Sequence, residues 1–214
     1  MLFRSATTKY LCGGGSTVGG AVIDTGNYDW KDNKRVDLSD LSMFGNLAFL
    51  AKSRKIRSNT GAALSPQNAY LSSLGLDTLT IRMDKHCENA LSLTSYLEQH
   101  NKVEAVAYPG LKSSPDYELA NKQFGGKFSG MLTLRLGSKE KAFYCINHLK
   151  IAKNLVNLGD AKTLVVHPKS TIYRDFTDQE ADDAGVYDDL IRVSVGLENS
   201  EDLKQDFDQA LAGL

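Results

Sequence analysis

No apolar run in this chain approaches the roughly 20 residues needed to span a bilayer. The opening Met1-Leu2-Phe3-Arg4 leads straight into polar residues, with no signal-peptide apolar core. An excess of one charge is also missing: 25 basic residues face 26 acidic ones, for a formal net charge of −1. That balance argues against a nucleic-acid or membrane-surface role driven by bulk electrostatics. Cysteine is scarce. Cys12, Cys87 and Cys145 are widely spaced and odd in number, which suits a reducing compartment, the cytoplasm by default, better than a disulfide scaffold. His86, His100, His148 and His167 lie in no CxxC or HxxxH context, so no metal site is expected and each reads as structural. Repeats and low-complexity tracts are lacking too. What is present, 42% hydrophobic and 24% charged residues in a chain of 214, is enough to bury a sizeable core in one large domain or one and a half ordinary ones.

Along the chain, a glycine-rich turn from Gly13 to Gly20 precedes Ala21-Val22-Ile23-Asp24, a short apolar run that reads as a buried strand. The segment from Gly26 to about Thr60 is polar and is expected to be irregular. Its charged stretch Lys31 to Asp37 reads as a solvated surface insertion. Ser65-Pro66 is a good helix start, because serine can cap and proline at the first helical position loses no needed hydrogen bond. The long helical region that follows is expected to break near Gly75. In its second half Leu79, Met83, Cys87, Ala90, Thr94 and Leu97 form one core-facing stripe. A domain boundary is placed near Leu79, giving residues 1–79 and 80–214.

Beyond it, strands are expected at Val103 to Tyr108, Met131 to Leu136, Leu164 to Val166 and Ile191 to Leu197. Helices are expected from Pro115 towards Phe124, from Ser138 to Leu149, after the capping-box spacing Thr177-Asp178-Gln179-Glu180, and from a cap at Ser200. The alternation describes an α/β region with helices layered on a sheet.

Few residues carry an obvious chemical signal. The glycine turn fits neither the dinucleotide fingerprint nor a P-loop, so it reads either as a phosphate cradle or as a plain tight loop. Lys9 is a surface residue unless a desolvated or electropositive pocket frees its amine, and Thr7 and Thr8 stand beside it as hydroxyl donors. Arg192 interrupts an apolar strand, so its guanidinium needs a partner. That partner is either an Asp or Glu of the same domain or a ligand carboxylate. Asn157, in Val-Asn-Leu-Gly-Asp, is a turn residue by default.

Taken in order, several segments resemble one family. They are Thr8-Lys9-Tyr10 with Gly13 to Gly20, Gly61 to Pro66, Leu79 to Cys87, Tyr108-Pro109-Gly110-Leu111, Asn157 to Leu164, His167 to Thr171, and Leu190 to Glu198. Together they resemble the Cys/Met-metabolism (trans-sulfuration) enzymes that use pyridoxal 5'-phosphate, and within them the O-acetylhomoserine sulfhydrylase branch. The resemblance runs from about Ser5 to the C-terminus.

It implies an α/β fold: the end of an aspartate-aminotransferase-like (fold type I) large domain in residues 1–79, then a C-terminal α/β sandwich domain in residues 80–214. It further implies that Lys9 forms the Schiff base with the cofactor, that Thr8 helps bind the cofactor phosphate, and that Arg192, assisted by Asn157, grips the substrate α-carboxylate. The implied reaction is a γ-replacement on O-acetylhomoserine by sulfide or a thiol, giving homocysteine or methionine. Asn157 sorts the chain towards the sulfhydrylases, since cystathionine- and methionine-cleaving relatives usually carry serine there.

Departures from the pattern are Ala6 where a serine is usual, Gly14 in place of a histidine, and Lys169 and Tyr173. In the family the lysine lies mid-chain, and the pyridine-nitrogen aspartate, ring-stacking aromatic, catalytic tyrosine and main phosphate loop precede it. A homo-oligomer, or a complex with a chain supplying that half, is therefore expected. The alternatives are a non-catalytic interaction module and a related cystathionine γ-synthase or γ-lyase.

Overall fold

A computed structural model of the protein describes residues 2–30, 33 and 37–214. Two sheets organise it. The first is an antiparallel pair, β1 (Leu2–Ala6) and β2 (Gly20–Asp24), which flanks the glycine turn. The second has five strands: β3 (Ala105–Ala107), β4 (Met131–Arg135), β5 (Lys153–Asn154), β6 (Leu164–Val166) and β7 (Leu190–Ser194). Their spatial order is β3-β4-β7-β6-β5, antiparallel throughout except between β5 and β6.

The expected strand at residues 21–24 is present, but Val22 and Ile23 are exposed rather than buried. A two-stranded ribbon has no second layer to cover them. Of the charged stretch Lys31 to Asp37, only Asn33 and Asp37 belong to the described residues, and Asp37 is exposed. The following segment is not irregular. It forms tight 3₁₀ turns over Ser39–Leu47 and then helix α1 (Ala48–Thr60), where Trp30 stacks on Phe49 with ring centroids 4.8 Å apart.

Ser65 caps α2 (Pro66–Asp77) by accepting the Asn68 N–H. The break in the long helix falls at Thr78, not at Gly75. Gly75 lies inside α2, and a Cβ there would sit 2.5 Å from the Leu11 carbonyl oxygen, so glycine lets the Lys9 segment press against the helix. Helix α3 (Leu79–Glu98) turns its Cys87, Ala90, Thr94 and Leu97 inward as expected, and adds His86, Asn89 and Leu93.

The helices α4 (Tyr117–Phe124), α5 (Lys139–His148), α6 (Asp178–Asp183) and α7 (Ser200–Leu211) complete the order. Ser138 caps α5 and Thr177 forms the expected capping box of α6. The last cap is Asn199 rather than Ser200: its side chain reaches the Glu201 N–H. Helices α3, α5 and α7 bury one sheet face. Leu132 and Leu134 of β4 and Ile191 and Val193 of β7 meet Leu93, Leu97, Leu203, Phe207 and Leu211 in one core. None of the described helices is long and apolar enough to cross a membrane.

Strand alternation then decides where Arg192 goes. With Ile191 and Val193 turned to the helices, Arg192 leaves on the opposite face, level with Thr133 and Val166.

Asp206 of α7 joins this core to the loop before β5. Its buried carboxylate accepts the backbone N–H groups of Lys150, Ile151 and Ala152 at 2.7, 2.9 and 3.0 Å. Asp206→Ala should strand these donors and cost about 3 kcal/mol of stability, read by urea unfolding, whereas a surface change such as Glu201→Ala should cost under about 0.5 kcal/mol.

Candidate active site

The strand β1 ends at Ala6, and the chain turns over Thr7 and Thr8 into a single 3₁₀ turn, Tyr10–Cys12, with Lys9 at its start. Gly13, Gly14 and Gly15 follow, all at positive φ, the region glycine occupies without a Cβ penalty. The turn folds around one sulfur. Burial pushes the Cys12 thiol up, but hydrogen bonds from the backbone of Gly15 and Thr17, the Ser16 hydroxyl and the backbone of Gly14 outweigh it and leave the thiol below its ordinary value. These donors face inward onto Cys12. Thr8 closes the loop: its hydroxyl accepts the Gly19 N–H at 3.1 Å and donates weakly to the Gly19 carbonyl at 3.3 Å. The neighbouring Thr7 hydroxyl is buried without a partner among the described residues.

Lys9 points across to the second sheet. Its half-buried amine donates to Asn157 Oδ1 at 2.6 Å, over a sequence separation of 148 residues. Among the described residues it makes no ion pair. Asn157 also donates from Nδ2 to the Gly14 carbonyl at 3.4 Å, and its own carbonyl accepts from Arg192 Nη2 at 3.2 Å. Asn157 is therefore the hinge between the two cations, a role that nothing in its local sequence disclosed. The residue type fits because one amide supplies both an acceptor and donors.

Arg192 is not the internal ion pair that periodicity allowed. No Asp or Glu among the described residues reaches it, and its Nε is buried without a partner. Burial lowers its pKa, with the Tyr173 phenol acting in the opposite sense. The nearby acids are otherwise engaged: Asp189 binds Arg135 and the Gly137 N–H, and Asp188 pairs with Lys169. Lys169, one of the departures from the family pattern, also pairs with Asp178 and so ties down the segment carrying Tyr173.

The loop bearing Asn157 is itself fixed. Gly159 N–H donates to Ser194 Oγ at 2.9 Å, and Glu198 accepts from the Thr163 N–H and hydroxyl at 2.6 and 2.7 Å. Asn89 of α3 donates to the carbonyls of Gly196 and Glu198. His86, on the same helix, is wholly buried and holds the Val195 carbonyl through Nδ1 at 2.7 Å.

Lysine amine, amide and unpaired guanidinium thus converge from three segments into an electropositive corner. Such a set can receive an anionic amino acid and place its Cα near an amine. A lysine amine in an electropositive, partly desolvated setting is one that can condense with a carbonyl group. The profile described as Cys/Met metabolism PLP-dependent enzyme matches residues 2–212, and the chain belongs to that family.

An O-acetyl-L-homoserine sulfhydrylase of Thermus thermophilus is 38% identical over 99% of this chain and 53% of its own. An L-methionine gamma-lyase of Fusobacterium nucleatum subsp. nucleatum is 40% identical over 96% of this chain and 47% of its own. A crystal structure from Campylobacter jejuni, provisionally assigned as an O-acetylhomoserine (thiol)-lyase, carries N'-pyridoxyl-lysine-5'-monophosphate. It superposes with a TM-score of 0.85 at 33% identity, over 99% of this chain and 53% of its own. The chain spans about half the length of the relatives it matches.

The buried imidazole next to this corner gives a pH signature. Desolvation holds the folded His86 below its ordinary value, so on acidification the unfolded chain takes up this proton first. The contribution to stability is complete above about pH 6.5 and is lost as pH falls towards the lowered folded value, at up to about 1.4 kcal/mol per pH unit. Urea midpoints at pH 7 and 5.5 should show this loss, and His86→Gln should shrink the difference.

Proposed function

We propose that this chain forms the substrate-gripping part of a pyridoxal 5'-phosphate-dependent enzyme. The reaction is γ-replacement on O-acetylhomoserine by sulfide or a thiol, yielding homocysteine or methionine. The observation that carries the reading is the convergence of Lys9, Asn157 and the unpaired Arg192. Residues 1–79 are read as the end of a cofactor domain and 80–214 as the C-terminal domain.

The residues fit the cofactor. Lys9 is an amine without a carboxylate partner among the described residues, next to hydroxyl-rich Thr7-Thr8, and is the residue that would hold it covalently. Thr8 would give up its weak bond to Gly19 for a charge-assisted one to a phosphate oxygen. When bound, the cofactor supplies an aldehyde for the substrate amine and an electron sink for carbanions.

The remaining work belongs to the chain. Arg192 would bind the substrate α-carboxylate through its free Nε edge, turning a buried unpaired donor into a charge-assisted pair. Asn157 would hold both cations at fixed separation, so that the substrate Cα–H stands over Lys9 Nζ. Lys9 Nζ would take the Cα proton and move protons at the β-carbon. Acetate then leaves the γ-carbon with the C–O electron pair, and the sulfur nucleophile forms the new C–S bond there.

The remaining cofactor contacts would come from a partner, either a second copy or a chain supplying the other half. Exposed Val18, Val22, Ile23, Met43 and Ile81 leave apolar surface that such a partner would cover. A second reading, γ-elimination from methionine, is favoured by the 40% identity to the gamma-lyase.

Mixed with pyridoxal 5'-phosphate, the chain should show a lysine-dependent absorbance band, and borohydride should fix the cofactor on Lys9. No band and no labelled Lys9 peptide, with or without the complementing half, would remove the cofactor role. In the complemented enzyme, turnover of O-acetylhomoserine with sulfide should exceed methionine cleavage; the reverse establishes the second reading. Arg192→Ala should raise KM at least about tenfold, since it removes a charge-assisted carboxylate bond, whereas an unchanged KM removes Arg192 from that role.

A further inference from the structure

Tyr10, the residue after Lys9, is absorbed by none of these roles, yet its half-buried ring is enclosed on several sides. Its ring meets His86 edge-on, with centroids 5.2 Å apart and planes at 83°. On another side it fills the space of a missing side chain: a Cβ on Gly159 would lie 2.9 Å from both Tyr10 Cγ and Tyr10 N. At its far end a Cβ on Gly130 would come within 3.1 Å of the hydroxyl.

These neighbours belong to the elements that carry the other two members of the site. Gly159 sits two residues after Asn157 and is bonded to Ser194, two residues after Arg192. His86 holds the carbonyl of Val195, whose N–H donates to the Gly130 carbonyl at 2.8 Å. The ring is thus a wedge seated where α3, the Asn157 loop and the end of β7 meet.

We propose that Tyr10 is a positioning residue: its ring, locked between Gly159 and His86, sets the reach of the Lys9 amine to Asn157. Ring shape does this, not the hydroxyl: burial raises the pKa of that group, and the Gly130 backbone and the Ser194 hydroxyl beside it pull the value down by less, yet it completes no well-formed hydrogen bond among the described residues. A Tyr→Phe change at such a site removes an unsatisfied polar atom and keeps the packing. The inference rests on Lys9 being the reactive amine. The contact it concerns can be measured without cofactor, so its failure is separate from failure of the cofactor reading.

The test is trace labelling of Lys9 Nζ with acetic anhydride in the purified full chain, read by peptide mass spectrometry. The buried thiol of Cys145 serves as a check that the core is intact. In Tyr10→Ala, Lys9 should label about fivefold faster, the change that follows from losing one net hydrogen bond, while Cys145 stays closed to thiol reagents. Tyr10→Phe should restore the wild-type rate to within about twofold. Gly159→Ala, at a positive φ and with a Cβ that meets both the ring and the backbone N of Tyr10, should raise the Lys9 rate at least as far as Tyr10→Ala does.

A wild-type Lys9 rate in folded Tyr10→Ala overturns the proposal, as does a Phe variant as reactive as the Ala one. Should Tyr10→Ala open Cys145 as well, Tyr10→Leu is read by the same criteria. If Leu and Gly159→Ala both leave Lys9 at its wild-type rate, or both open Cys145 in parallel with Lys9, the ring has only a general structural role and the proposal fails.

Discussion

The structure depends on one short contact, the 2.6 Å bond from the Lys9 amine to the Asn157 side-chain oxygen. Through it an amine near one end of the chain and a guanidinium near the other are held by a single residue, since the Asn157 carbonyl also receives Arg192. Two cations so placed repel each other, and among the described residues neither has a carboxylate to offset this. The Arg192 Nε is in addition a buried donor left unsatisfied, at a cost of about 1–3 kcal/mol. A bound anion removes both penalties at once. The corner carries an uncompensated positive charge among the described residues.

That unpaired charge survives only because the surroundings are rigid. Strand β7 lies in the middle of its sheet with β4 and β6 on either side, so the Arg192 backbone cannot shift without disturbing two ladders. Hydrogen-bonded polar side chains fasten the loops around it: Asp206 to the backbone before β5, Glu198 to Thr163, and the Asn89 amide N–H groups to the turn after β7. Each is a buried or half-buried group with at least one backbone N–H or C=O partner, which fixes loop geometry more tightly than apolar packing does. The first eighty residues are less self-sufficient. Their two-stranded ribbon leaves Val22 and Ile23 exposed, and Val18 and Met43 are exposed as well.

Much of the fold was readable from local pattern. The caps at Ser65, Ser138 and Thr177, the buried stripe of α3 and the cores of β4, β6 and β7 follow from spacing and side-chain chemistry that act over a few residues. The misreadings have physical causes. The polar segment before Thr60 hid helix α1, because its apolar residues are few and several stay exposed. Gly75 looked like a helix breaker but answers a distant demand, the close approach of Leu11. The two-residue β5 is too short to show a period at all.

The site divides along the same line. The sequence by itself determined that Lys9 stands among hydroxyl residues ahead of a glycine turn, that Arg192 breaks an apolar strand, and that ordered motifs tie both to one family. Those are properties of residue type and short spacing. Only the tertiary structure decided that Asn157 bonds both cations at once, that Thr8 spends its hydroxyl on Gly19, that the glycine turn faces Cys12, and that no acid among the described residues reaches Arg192. Such facts rest on which strand faces alternate outward and which loops meet across more than a hundred residues, and no local pattern encodes them.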